Sequence, residues 1–265
     1  MQTITYLNEC FNKEKLSRWD ASVMPLKVYI GKFNWYKSIG QADELKYTQM
    51  IIDGFNIWEK LSNGIVSFER TMNLYDSNIN IDWKRVDRKS LGSCTFNFDK
   101  LGRYYSAELS IGLSDGILHH QYMDETEVMH TIIHEIGHSV GLGHSKTKGD
   151  IMYVPHEYGV AGISENDLET LKWLYKFPVG KTQQEILAMY SGYGARNVDE
   201  LITKINNEGY KSDFEKTKDS ILNSKPKKDL LNENQNIGDL KKYLMQINNI
   251  KVDFKVHHHH KKPNE

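Results

Sequence analysis

The chain has 265 residues and a mass of 30.8 kDa, and its 34 basic and 35 acidic side chains nearly cancel. It therefore lacks the basic excess expected of a nucleic-acid-binding protein, and it has no apolar run long enough to span a membrane. A hydrophobic fraction of 39% with 11% aromatic residues supports a packed core and excludes wholesale disorder. The two cysteines are too few for a disulfide framework.

Composition predicts three regions. Residues 1–18 form a polar N-terminal segment, residues 19–178 form a body that holds all five tryptophans, and residues 179–265 form a polar, slightly basic extension. The N-terminus lacks the apolar stretch of a secretory signal, so the chain either stays inside the cell or has lost a signal.

The first part of the body predicts strands around one helix. Alternating Leu26, Val28 and Ile30 indicate a strand, and apolar residues at helical spacing predict a helix over 43–61 that ends at Asn63-Gly64. Further strands are predicted at 65–68, 79–83, 91–98 and 105–113.

Two helices complete the body, which is typical of the α+β class. The first covers 124–140 and has acidic residues in its first turn; the second begins at a Ser164-x-x-Asp167 capping box and runs to 176. The extension predicts short helices near 182–190, 198–207, 212–222 and 237–248.

The strongest chemical signal is the spacing of three histidines. His134 and His138 are four residues apart, so a helix places them on one face, one turn apart. Gly141 can adopt positive φ and turn the chain back, which lets His144 complete the site. Three neutral imidazoles around Zn²⁺ leave a fourth position for water, as in catalytic zinc sites.

Glu135 follows the first of these histidines and points to the open side of the site. A carboxylate there can take a proton from water and pass it to a leaving amine. The alternative, a helix with ordinary core histidines, leaves both His144 and Glu135 unexplained. The pattern therefore favours a zinc enzyme.

The run HEIGHSVGLGHS resembles the HExxHxxGxxH signature of the metzincin metallopeptidases, and Ser145 after the third histidine resembles the matrixins. Met152 resembles the Met-turn residue that forms an apolar floor below the metal. The resemblance extends over about residues 19–177. It implies a twisted, mostly parallel five-stranded sheet with an antiparallel edge strand, a zinc helix and a Met-turn, followed here by an α-helical C-terminal extension.

The resemblance also implies a substrate cleft. Matrixin substrates lie antiparallel to an edge strand, which here begins at Leu91 and Gly92; a plain sheet edge is the alternative. His130 lies one helical turn before His134, and the matching family position borders the S1′ pocket. A histidine there would make the pocket shorter and more polar; an ordinary packed or solvated histidine is the alternative.

The wall of that pocket follows the Met-turn in the family. By resemblance it runs from Tyr153 through Pro155 to Tyr158. Val154 separates a tyrosine and a proline that are usually adjacent in matrixins, so this chain departs from the family pattern at the wall.

Other family features have weaker support. His119 and His120 do not reproduce the spacing of the matrixin structural zinc site, and calcium is possible but unsupported. Cys10 precedes the body, but the family's propeptide cysteine motif is absent. The run of histidines at 257–260 stays unassigned.

We therefore predict a zinc-dependent endopeptidase with one catalytic Zn²⁺ that cleaves protein or peptide substrates. We expect a monomer, and because metzincins usually act outside the cytoplasm, we expect a secreted protein. The alternative is a zinc-stabilised scaffold or binding protein in which the extension blocks the cleft.

Overall fold

The computed structural model describes residues 4–32, 41–85, 91–113 and 124–208. The chain divides into two units, Met1–Lys216 and Thr217–Glu265, and every described residue belongs to the first. The helices predicted at 212–222 and 237–248 and the histidines at 119, 120 and 257–260 lie outside the described residues. No helix in the described ranges has the length and apolarity needed to cross a membrane.

The strands form a small hairpin and one larger sheet. In chain order they are β1 (Phe11–Asn12), β2 (Lys15–Leu16), β3 (Leu26–Ile30), β4 (Phe68–Thr71), β5 (Ile79–Arg85), β6 (Gly92–Phe98) and β7 (Tyr104–Leu113). The hairpin pairs β1 with β2, and the sheet has the order β4-β3-β5-β7-β6. Its first four strands are parallel, whereas β6 runs antiparallel to β7 at the edge. This confirms the expected sheet.

The described helices are α1 (Gln41–Leu61), α2 (Glu125–Ser139), α3 (Glu165–Lys176), α4 (Gln183–Met189) and α5 (Val198–Glu208). Helix α2 contacts α1 and strands β6 and β7. The crossing of α1 and α2 is close, because a Cβ on Gly54 would lie 2.7 Å from Ile132 Cγ2. Trp58 also donates its indole N–H to the Ile133 carbonyl at 2.9 Å. The central packing of the domain thus fixes α2, the helix that carries the histidine motif.

The strand predicted at 65–68 begins later than the sequence pattern indicates. Asn63 and Gly64 both have positive φ, and the Gly64 N–H donates to the Glu59 carbonyl at 3.1 Å. This turn continues through Ile65, whose N–H donates to Ser62 O. Pairing with β3 therefore starts at Ser67, and the strand itself is Phe68–Thr71.

The residues before β3 pair with the residues after α3 and also bind the end of that helix. The Gly180 N–H donates to Leu16 O at 2.8 Å, and the Leu16 N–H donates to Lys181 O at 2.9 Å. Arg18 is buried, and its guanidinium caps the end of α3 by donating to the carbonyls of Leu174, Tyr175 and Phe177. Helices α4 and α5 confirm two helices predicted in the extension; the boundary at 178 stays a prediction.

Candidate metal centre

The three motif histidines converge at the end of α2. His134 and His138 lie one turn apart on the helix, which ends at Ser139 with Val140 as its C-cap. Gly141 has a φ of +105°, and this left-handed conformation turns the chain back towards the helix. One ring nitrogen from each of His134, His138 and His144 lies within 4.8 Å of the other two. The Nε2 atoms of His138 and His144 are 3.1 Å apart.

Backbone carbonyls orient two of the rings. His134 Nδ1 donates to the Ile151 carbonyl at 2.7 Å, and His138 Nδ1 donates to the Leu142 carbonyl at 2.8 Å. With Nδ1 protonated, each Nε2 carries a lone pair that faces the centre of the cluster. Burial lowers the pKa of His134 to about 3 and that of His138 to about 4, so both rings are neutral at pH 7. Partial burial also lowers the pKa of His144, and three neutral imidazoles are a donor set suited to Zn²⁺.

The backbone of Ile151 links this cluster to α3. Its N–H donates to Asp167 Oδ2 at 2.9 Å, while its carbonyl accepts from His134. Asp167 also completes the predicted capping box with Ser164. The carboxylate that begins α3 therefore also holds the backbone that orients a candidate zinc ligand.

Glu135 is buried beside the cluster. Its Oε2 has no hydrogen-bond partner, and in the described part of the chain it is the only buried side-chain nitrogen or oxygen in that condition. Burial raises the pKa of Glu135 to about 7. A buried carboxylate without a partner is costly, so the orphaned oxygen indicates a missing polar partner. This observation fits a site that holds a cation and water.

Met152 packs against Gly137 in the last turn of α2 and is completely buried. A Cβ on Gly137 would lie 2.4 Å from its sulfur and 3.2 Å from Trp58 Cζ2, so a larger residue at that helix position would have to displace the thioether. The Met152 carbonyl accepts from the Ser145 N–H at 2.8 Å, which joins this segment to the residue after His144. The role of Met152 as an apolar floor for the metal stays a prediction.

The predicted substrate strand lies next to Glu135. Gly92 is the first residue of β6, and a Cβ there would lie 2.4 Å from Glu135 Oε1. Leu91 precedes the strand, and its carbonyl accepts from the Gly112 N–H of β7 at 2.8 Å. Strand β6 has β7 on one side and no described strand on the other. A peptide could therefore pair with this edge.

The predicted pocket wall follows Met152. Tyr153 is half-buried and its N–H donates to Asp150 O at 3.1 Å, whereas Pro155 and Tyr158 are exposed. The Val154–Pro155 peptide bond is cis. The structure thus places these residues in one loop; their role as a wall stays a prediction.

His130 lies outside the three-histidine cluster. Its ring is buried and stacks on His134 with 6.0 Å between ring centroids. Its Nδ1 donates to the Val160 carbonyl, and its ring meets the edge of His156 at 4.1 Å. Burial lowers the pKa of His130 and so disfavours its charged form. The residue therefore ties α2 to the loop that follows Met152.

Sequence reasoning missed Glu127, the residue of α2 that contacts His156. The carboxylate is buried; its Oε2 lies 2.5 Å from His156 Nε2, and its Oε1 accepts from the Gly159 N–H at 3.0 Å. The sequence indicated only that Glu127 is one of the acidic residues in the first turn of this helix. Nothing in that local signal pointed to His156, which is 29 residues away.

Two further features considered in the sequence are the role of Cys10 and a second metal site. The Cys10 thiol is buried and accepts from the Gly143 N–H at 3.3 Å, and burial raises its pKa to about 12. Within the described ranges, no second group of three or more His, Cys, Asp or Glu is arranged to hold a metal.

A comparison with family models defines the class of protein. The matrixin peptidase family matches residues 32–176, just over half of the chain. The chain belongs to the matrixin family of zinc metallopeptidases. Among curated proteins, no significant match was found.

Proposed function

We propose that this protein is a zinc-dependent endopeptidase. The observation that carries the proposal is the combination of three convergent imidazoles with a buried carboxylate whose Oε2 has no partner. A purely structural zinc site has four protein ligands and needs no adjacent carboxylate. The unpaired Glu135 therefore favours catalysis over the alternative of a zinc-stabilised scaffold.

His134, His138 and His144 would hold the ion through Nε2, with Met152 packed below them. When bound, zinc would polarise the scissile carbonyl and lower the pKa of a coordinated water. Glu135 would accept the proton of the attacking water and deliver it to the departing amine, so the carboxylate returns to its starting state after each cleavage.

The edge of β6 supports an extended peptide as substrate. Backbone pairing there would place a scissile bond near Glu135, because Gly92 contacts that side chain directly. We propose that Leu91 and Gly92 bind the substrate backbone, and that His130 with Tyr153, Pro155 and Tyr158 forms the pocket for the residue after the cleaved bond. We also propose that the protein is secreted and monomeric.

The test is metal-dependent cleavage of a proteome-derived peptide library. The protein, stripped with a chelator and reloaded with one equivalent of Zn²⁺, should regain cleavage; the stripped protein and the reloaded His144→Ala variant should lack it. Stoichiometric zinc without cleavage of any peptide would overturn the enzyme proposal and favour the scaffold. Sequencing the products would show whether the pocket prefers short, polar side chains.

A further inference from the structure

The N-terminal segment, residues 4–18, is fastened to two helices of the domain. Asp199 of α5 accepts from the N–H groups of Leu7 at 2.7 Å and Asn8 at 3.2 Å, and from the Thr5 hydroxyl at 2.7 Å. Tyr6 donates its hydroxyl to Asp167 of α3 at 2.7 Å. Leu7 is completely buried. The segment is therefore a fixed part of the fold.

The same segment contacts the His144 loop, which we define as residues 141–145. The Gly143 N–H donates to Cys10 Sγ at 3.3 Å. A Cβ on Gly143 would lie 2.1 Å from the Glu9 carbonyl oxygen, so the two backbones pack with no space for a side chain. An exposed ion pair of Glu9 with Lys146 adds a weaker contact at 2.5 Å.

The position of His144 depends on the backbone of this loop, whereas the other two histidines are held by a helix and by hydrogen bonds. His134 and His138 lie on a buried helix, and each Nδ1 donates to a carbonyl. His144 is exposed, and within the described ranges its Nδ1 has no hydrogen-bond partner. The position of its ring is consequently set by the loop backbone, of which Gly143 is the preceding residue.

We propose that the N-terminal segment positions His144 for metal binding, with Cys10 acting as a positioning residue through the Gly143 N–H. The path runs from Asp199 through the Leu7–Cys10 turn to the residue before the ligand. The inference rests on the zinc site of the proposed function. It assigns Cys10 a supporting contact to the loop, and it makes α5, beyond the family-matched region, part of the support of the site.

The test measures zinc affinity in the full chain by competition with a chromophoric chelator. Cys10→Ala removes the acceptor, Cys10→Val removes it while filling the buried space, and Cys10→Ser keeps an acceptor. Loss of a contact that supports a ligand typically weakens metal binding about 10–100-fold. We expect Cys10→Ala and Cys10→Val to bind Zn²⁺ about tenfold more weakly, and Cys10→Ser to stay within about threefold of wild type.

Val66→Ala is the matched control, because Val66 is also completely buried but lies in the turn between α1 and β4. It should lower the melting temperature without changing zinc affinity. Cobalt loading gives a second readout, since displacement of His144 alters the visible spectrum of a tetrahedral site. If one Cys10 variant fails to fold, the other acceptor-free variant carries the test.

The outcomes separate this inference from the proposed function. Wild-type affinity in Cys10→Ala and Cys10→Val overturns the positioning role and leaves the zinc site standing. The same holds if Cys10→Ser weakens binding as much as they do, or if Val66→Ala weakens binding equally. A wild-type chain that binds no zinc overturns both proposals.

Discussion

Gly92 offers a direct test of the position of Glu135. An alanine Cβ at residue 92 would lie 2.4 Å from Glu135 Oε1, 2.6 Å from Cγ and 2.8 Å from Cδ. Ordinary van der Waals contact needs about 3.4–4 Å, so the carboxylate must move by about 1 Å to make room. A displacement of about 1 Å in a catalytic constellation can cost about 100-fold in rate.

We therefore expect Gly92→Ala to lower kcat/KM for a fluorogenic peptide about 100-fold while zinc affinity is unchanged. The fold should tolerate the change, because the obstructing atoms belong to a flexible side chain. Gly162→Ala is the matched control: its Cβ would meet nothing within 4 Å and its φ is not positive. Wild-type activity in Gly92→Ala would refute the placement of Glu135 against β6.

Three further variants test the supports of the site. Met152→Ala should lower the free energy of unfolding by about 2–5 kcal/mol in urea titrations, since it empties a buried space below α2; a loss below about 1 kcal/mol would contradict the packing. Glu127→Gln weakens the contact with His156 and should change the preference for the residue after the cleaved bond in a peptide-library profile. Glu125→Gln, at an exposed position of the same helix, should leave that preference unchanged. Identical profiles for the Glu127→Gln variant and the wild type would count against the proposed pocket wall. Asp199→Ala removes the acceptor of three hydrogen bonds and should cost about 3 kcal/mol of stability, more than Glu200→Ala in thermal unfolding.

The sequence predicts the features that depend on local spacing. The i, i+4 pair His134 and His138, the turn at Gly141 and the capping box at Ser164 each depend on neighbouring residues, and the structure forms all three elements. The strands predicted at 79–83 and 91–98 likewise match β5 and β6 to within two residues.

The supports of the site could not be predicted in this way, because they join residues far apart in the chain. Cys10 and Gly143 are separated by 133 residues, and Leu7 and Asp199 by 192. The N-terminal segment folds into a short turn and a hairpin. Because neither is long, the sequence of this segment shows no clear hydrophobic period. Its role emerges only from the contacts of the folded chain.

The central claim is that Glu135 moves protons during peptide hydrolysis at a three-histidine zinc site. The most direct measurement is single-turnover cleavage of a peptide by Glu135→Gln at a verified content of one zinc per chain. General-base catalysis contributes about 100- to 10,000-fold, so we predict a rate reduced by that factor with zinc affinity retained. Cleavage by the zinc-loaded Glu135→Gln variant at the wild-type rate would contradict the account.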